Sequence, residues 1–161
     1  MLTLRPATAA DVPLILSLVR ALAEYERDPA AVVATEGDLL RDGFGPRPLF
    51  EVTLAEWDGA PVGFAFWFLA YSTWRGRPTL SLEDLFVQPA ARGRGVGKAL
   101  MRHLARTALE RGCARFVWQV LDWNAPSIAF YEALGARVLG DWLTCRLDGE
   151  ALVALAAKRE G

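Results

Sequence analysis

Apolar side chains along this chain recur with two different periods, and the alternation between them predicts the element order. Leu2 to Pro6 alternates and reads as a short strand. Thr8 to Asp11 carries a hydroxyl N-cap with an acid three residues on, the signature of a helix start. Val12, Ile15, Leu16, Val19 and Leu22 then follow at helical spacing, and the helix fades between Tyr25 and Asp28, before Pro29. Thr35-Glu-Gly-Asp38 repeats the cap signal and opens a short helix ending near Gly43. Leu49 to Trp57 and Val62 to Tyr71 read as two strands joined by the hairpin turn Asp58-Gly59. The second shows little alternation, which predicts cover on both faces. Leu80 to Val87 is a third long strand.

A glycine-rich loop then opens a helix from about Gly95 to Arg111, with Val96, Leu100, Leu104 and Ala108 as its apolar arc and Gly112 as its stop. Arg115 to Leu121 reads as a strand. Asn124 to Leu134 reads as a helix capped by Asn124, with Pro126 in its first turn and Gly135 as its stop. Trp142 to Leu147 is expected as a last strand, and Gly149 to Ala157 as a last helix. Strands and helices mixed in this way predict an α/β (α+β) domain. The 161 residues suit one domain spanning the whole chain, 1–161.

Charge and composition narrow the function classes. The net charge of −1 gives no reason to expect nucleic acid or an anionic membrane as partner. The longest apolar run, around Phe64 to Tyr71, is too short to span a bilayer. No secretory pattern opens the chain, so a cytoplasmic protein with reduced thiols is expected. Cys113 and Cys145 are far apart, His103 is the single histidine, and no metal site is expected. Both thiols are expected to be buried, and His103 to be structural. One histidine and no GxSxG leave no Ser-His-Asp set to argue.

The loop Ala91-Arg-Gly-Arg-Gly-Val-Gly-Lys98 follows a strand and opens a helix. Unpaired N–H groups and the positive end of a helix dipole meet there, an arrangement suited to phosphate. Two nucleotide motifs fail on spacing. A P-loop counted back from Gly97-Lys98 would put its first glycine at Arg92 and its hydroxyl at Ala99. A GxGxxG would need glycine at Lys98 or at Leu100. The pattern that remains, Arg92-x-x-Gly95-x-Gly97, resembles the pyrophosphate-binding signature of the GNAT superfamily of acetyl-CoA-dependent N-acetyltransferases.

The resemblance covers nearly the whole chain. Leu82-Glu-Asp-Leu-Phe-Val-Gln-Pro89 is similar to the family's central strand, and Val120 to Ala136 to its distal CoA segment. Leu22-Ala-Glu-Tyr-Glu26 and Thr35 to Gly45 are similar to one branch, the diamine (spermidine/spermine) acetyltransferases. Within it, Tyr71-Ser-Thr-Trp-Arg-Gly-Arg77 and Val120-Leu-Asp-Trp-Asn124 look more like thialysine Nε-acetyltransferases. Ser72 stands where the polyamine enzymes tend to carry an acid, which argues against long polyamines.

What the resemblance implies is a GNAT-type fold: a mixed, mostly antiparallel sheet with a splayed strand pair and flanking helices. It implies acetyl transfer from acetyl-CoA to a small primary amine by direct attack in a ternary complex. Glu83 is the candidate proton acceptor, acting through water, and Tyr131 the candidate general acid for the leaving thiolate. The main chain of Leu85, Phe86 and Val87 is expected to face the pantetheine arm. Arg92, Gly93, Arg94, Gly95, Val96, Gly97 and Lys98 are expected to hold the pyrophosphate, with Asn124 and Ser127 nearby. Tyr25, Glu26 and Trp74 are candidates for the acceptor amine, since an acid and aromatic faces suit an ammonium. Gln119 and Trp142 are further candidates for lining the cleft, and Trp74 and Trp142 are also placed as possible dimer residues. Strand alternation sends Asp84 to the face opposite Glu83, so the two are not expected to share a role. A homodimer is expected from the family, using the strand Phe64 to Tyr71 and the C-terminal segment. The competing readings are a protein lysine or N-terminal acetyltransferase and a non-catalytic acetyl-CoA sensor.

Overall fold

The computed structural model describes residues 1–157. It forms two compact units, one spanning Met1–Gln119 and the other beginning at Val120. The first holds a five-stranded sheet in the order β1-β2-β3-β4-β5: β1 (Leu2–Pro6), β2 (Glu51–Trp57), β3 (Ala60–Ser72), β4 (Arg77–Val87) and β5 (Arg115–Trp118). The first four strands pair antiparallel, and β4 pairs with β5 in parallel. This is the mixed, mostly antiparallel sheet expected.

Helices α1 (Val12–Tyr25) and α2 (Glu36–Phe44) link β1 to β2, and α3 (Val96–Glu110) links β4 to β5. A single 3-10 turn, Ala9–Asp11, precedes α1. Helix α2 begins on a reciprocal cap: Thr35 Oγ1 accepts from the Asp38 N–H at 3.2 Å, and Asp38 Oδ2 accepts from the Thr35 N–H at 2.9 Å. Burial of Val12, Ile15, Leu16, Leu18 and Leu22 presses α1 onto Leu54, Phe64 and Phe86, which sit on three adjacent strands. Helix α3 buries Val96, Leu100, Met101, Leu104 and Ala108 and packs on β2 to β5. Sequence periodicity places this stripe correctly, with Met101 added.

Strand β3 departs from expectation in its second half. Val62 to Ala65 are buried, in agreement with cover on both faces, but Leu69, Ala70 and Tyr71 are exposed. Among the described residues, the core cluster under α1 takes Phe64 and Phe66 from this strand and none after them.

In the second unit, α4 (Ala125–Ala133) and α5 (Gly149–Ala157) are present. The expected strand Trp142 to Leu147 is not: residues 142–148 carry no regular structure. An apolar alternation becomes a strand only when a ladder partner satisfies its backbone, and the period alone names no partner. Of the two thiols, Cys113 is buried as expected and Cys145 is exposed.

Candidate active site

The site in the first unit is built around a defect in β4. Its register against β3 runs Ala65↔Leu85, Phe66↔Asp84, then jumps to Trp67↔Leu82. Glu83 is therefore the extra residue of a β-bulge. A bulge breaks the two-residue alternation, and the expectation that Asp84 faces away from Glu83 fails for that reason. Glu83 and Asp84 both line one open cleft of about 450 Å³.

The rest of that cleft is apolar. Val19 of α1, Leu39 of α2, Leu49, Phe50, Phe66 and Phe68 line it along with Ala34. Phe50 stacks on Phe66 with ring centroids 4.1 Å apart, and Phe44 meets Phe50 edge-on at 6.4 Å. Gly43 makes room for this wall: a Cβ there would stand 2.3 Å from the Phe50 ring. The lining thus offers two carboxylates, aromatic walls and no basic side chain. That suits a cation on an apolar stem.

Burial pushes the Asp84 carboxyl up to about 7, helped by the charges of Glu83 and then Glu26. Burial also raises Glu26 above the ordinary carboxylate range. Glu26 follows the last residue of α1, and its charge reaches Asp84. The helix ends there because Arg27 takes a left-handed backbone (φ 67°) while the Asp28 N–H returns to Ala23 O at 2.9 Å. Sequence reasoning missed Asp84. The signal lay in the paired acids Glu83-Asp84 within an apolar strand, but an unbroken alternation was assumed.

Asp84 makes stability depend on pH with a definite sign. Its folded pKa exceeds the ordinary value of 3.8, so between about 4 and 7 the folded chain binds more protons at this site than the unfolded chain. Stability contributed by this group therefore falls as pH rises through that window. Asp84→Asn, uncharged throughout, is expected to raise Tm at pH 8 by at least roughly 3 °C, as each kcal/mol moves Tm by about 2–4 °C at this size. The gain should vanish near pH 4. A gain independent of pH, as measured by calorimetric melts, would mean that burial does not penalise this carboxylate.

Beyond the bulge, β4 has an open side. Pairing with β5 covers only Thr79–Leu82 against Arg115–Trp118, while β4 continues to Val87. The Gln88 N–H donates to Val62 O at 2.9 Å, and Phe86 lies opposite Phe64. Ladder alternation then turns the polar main-chain groups of Leu85 and Val87 toward the open side and those of Phe86 toward β3. This is the splayed pair expected, with Phe86 contributing a buried side chain rather than main-chain polar groups.

The glycine loop follows directly. Gly93 and Gly95 have φ of 73° and 82°, and Gly95 is the N-cap of α3. The first main-chain bond of the helix runs from the Ala99 N–H to Gly95 O at 2.9 Å. The N–H groups of Val96, Gly97 and Lys98 therefore lack intrahelical acceptors. Arg92, Arg94 and Lys98 are exposed around them. Arg94 stacks over the Trp57 ring at 3.6 Å.

Other candidates lie elsewhere. Trp74 sits, 84% exposed, in the turn between β3 and β4. From there to Glu83 the strand runs roughly 20 Å at about 3.3 Å per residue, so Trp74 does not line this cleft. Gln119 follows the end of β5 and is exposed. Within the second unit, Asn124 caps α4 as expected, its Oδ1 accepting from the Ser127 N–H at 3.3 Å. Asn124, Ser127 and Tyr131 fall on one helical face by spacing, and the Tyr131 ring lies 5.2 Å from that of Phe130. Trp142 is exposed in the irregular segment after α4. Among the described residues no group of three or more His, Cys, Asp or Glu side chains is placed to hold a metal ion. Likewise, no described helix is long and apolar enough to cross a membrane.

The bulged strand β4 is paired with β5 over only part of its length and leads into a glycine-capped helix. Residues 17–136 match the model of the acetyltransferase (GNAT) family, and the chain belongs to that family. It is 40% identical to a thialysine N-epsilon-acetyltransferase of Sus scrofa, over 96% of this chain and 97% of that protein. It is 30% identical to an L-ornithine N5-acetyltransferase of Arabidopsis thaliana, over 94% of this chain and 86% of the relative. Among solved structures, an integron cassette protein of V. cholerae superposes with a TM-score of 0.82 at 25% identity, covering 98% of both chains. The protein is thus an N-acetyltransferase, in a family that uses acetyl-CoA.

Proposed function

We propose that the protein moves the acetyl group of acetyl-CoA onto the primary amine of a small molecule, a thialysine- or lysine-like amino acid or a diamine, by direct attack in a ternary complex. The carrying observation is the cleft that joins two carboxylates to aromatic walls at the bulge of β4. The similarity to enzymes named for thialysine and ornithine supports the same class of acceptor.

An alkylammonium has a pKa of about 10.4 and must lose a proton before it attacks. Glu83 and Asp84 line the cleft where that proton would leave, directly or through water. Asp84 is suited to the task because its pKa of about 7 matches the working pH of a general base. Phe50, Phe66 and Phe68 exclude water from the stem of the amine. Main-chain N–H groups on the open side of β4, those of Leu85 and Val87, polarise the thioester carbonyl and stabilise the developing oxyanion. The loop from Arg92 to Lys98 holds the pyrophosphate. Tyr131 protonates the thiolate as it departs, and Asn124 and Ser127 of the same helix face meet the pantetheine arm.

Two supports favour a small acceptor over a protein. The cleft sets its two acids beside the stacked rings of Phe50 and Phe66, and the relatives named above are named for small amines, thialysine and ornithine. The test is thiol release from acetyl-CoA with thialysine, lysine, putrescine, spermidine, an aminoglycoside and a lysine peptide. Release is expected with one or more of the small aliphatic amines. Release with the peptide alone would overturn the acceptor class. Binding of acetyl-CoA with no release across the panel would favour the sensor reading.

A further inference from the structure

The Arg92 side chain is tied down. Its Nε–H donates to Val87 O at 3.0 Å, on the open side of β4. Its guanidinium carbon lies 4.8 Å from the centroid of the Tyr25 ring and 5.6 Å from that of Phe86. Phe86 is 5% exposed near the end of β4, and Tyr25 is the last residue of α1. Three elements thus converge on one side chain: the end of α1, the end of β4 and the loop itself.

We propose that Tyr25 is a positioning residue for the anion-binding loop: its ring fixes the guanidinium of Arg92 beside the open end of β4. This assigns Tyr25 to the loop rather than to the amine, and it rests on the reading of residues 92–98 as the pyrophosphate site. A planar guanidinium is weakly hydrated and lies flat on an aromatic face. With Nε committed to Val87, the Nη donors keep a fixed direction and remain able to meet phosphate oxygens. An arginine standing free in solvent would have to be ordered when the ligand binds, at a cost to affinity. The C-terminus of α1 is itself fixed by the left-handed Arg27 and the Asp28 to Ala23 bond, so the ring has a firm mount.

The test compares Tyr25→Leu, Tyr25→Phe and Arg92→Lys. CoA Kd is read by calorimetry, and the KM values for acetyl-CoA and amine by thiol release. Tyr25→Leu keeps a similar apolar volume and removes the π face. It is expected to raise the CoA Kd by about three- to thirtyfold, the range a cation–π contact covers. The acetyl-CoA KM should rise in step, while kcat and the amine KM stay within about twofold. Tyr25→Phe restores the ring and should restore the Kd. Arg92→Lys keeps the charge but loses both the stack and the Nε bond, so it should weaken CoA as well. The double variant Tyr25→Leu/Arg92→Lys should lose less than the product of the two single effects. An unchanged Kd in Tyr25→Leu or in Arg92→Lys, or a rise confined to the amine KM, overturns the inference while leaving the loop reading intact. Wild-type protein that fails to bind CoA overturns both.

Discussion

Tyr131→Phe is expected to slow turnover by about 10²–10⁴-fold, the range a positioned general acid supplies, and to leave the acetyl-CoA Kd within about twofold. The change deletes one oxygen and keeps the ring, so packing beside Phe130 survives. What disappears is the phenolic proton that the departing thiolate would take. A thiol has a pKa of about 8.5, so its thiolate is a tolerable but unfavourable leaving group near pH 7. The hydroxyl matters most where the thiolate most needs a proton, and the defect should therefore shrink as pH rises toward 9. The geometry around the residue is fixed locally. Asn124 caps α4, and two helical turns later Tyr131 returns to the same face. Steady-state kcat across pH 6.5–9, with CoA binding measured separately, checks this. Wild-type kcat in the phenylalanine variant would remove Tyr131 from the chemistry.

Much of this site was legible in the sequence because its devices are local. Caps announce themselves: Thr35 with Asp38, and Asn124 before Ala125-Pro126, start helices within a residue of where the spacing places them. The loop is legible for the same reason, since glycines at Gly93 and Gly95 and a following apolar arc imply a turn into a helix. Asp84 was not legible. Its environment depends on a register jump between two strands, and nothing in Leu82-Glu-Asp-Leu85 records which residue β3 skips. The partnership of Arg92 with Tyr25 escaped for a related reason. It joins residues 67 positions apart whose proximity is set by how α1 and β4 pack. The strand expected at Trp142 to Leu147 is not formed among the described residues, where 142–148 carry no regular structure. Local chemistry reads directly from the chain, whereas bulges, edges and cross-element contacts belong to the packed sheet.

Gly95→Val is expected to raise the CoA Kd by about 5- to 30-fold. The reason is conformational and not steric, for nothing lies within 4 Å of a Cβ added at Gly95. Its φ of 82° is the obstacle. A left-handed backbone costs an L-residue about 1–2 kcal/mol, and for a β-branched side chain it is a genuine outlier. The cheapest escape is for residues 93–96 to leave this conformation, which re-aims the orphan N–H groups of Val96, Gly97 and Lys98. The complex regains those donors only by taking up the strain again, so the loss of affinity is the strain itself, about 1–2 kcal/mol or about 5- to 30-fold. Gly97→Val, within the first turn of α3, is expected to act in the same direction. Gly76→Val is the control: it too has a left-handed backbone (φ 61°) with open space around it, but it lies in the β3–β4 turn. It should lower Tm to a similar degree while leaving the CoA Kd unchanged. A folded Gly95→Val protein with wild-type affinity would show that the loop holds something other than the pyrophosphate. Equal loss of affinity in Gly76→Val would show that the effect is only a loss of stability.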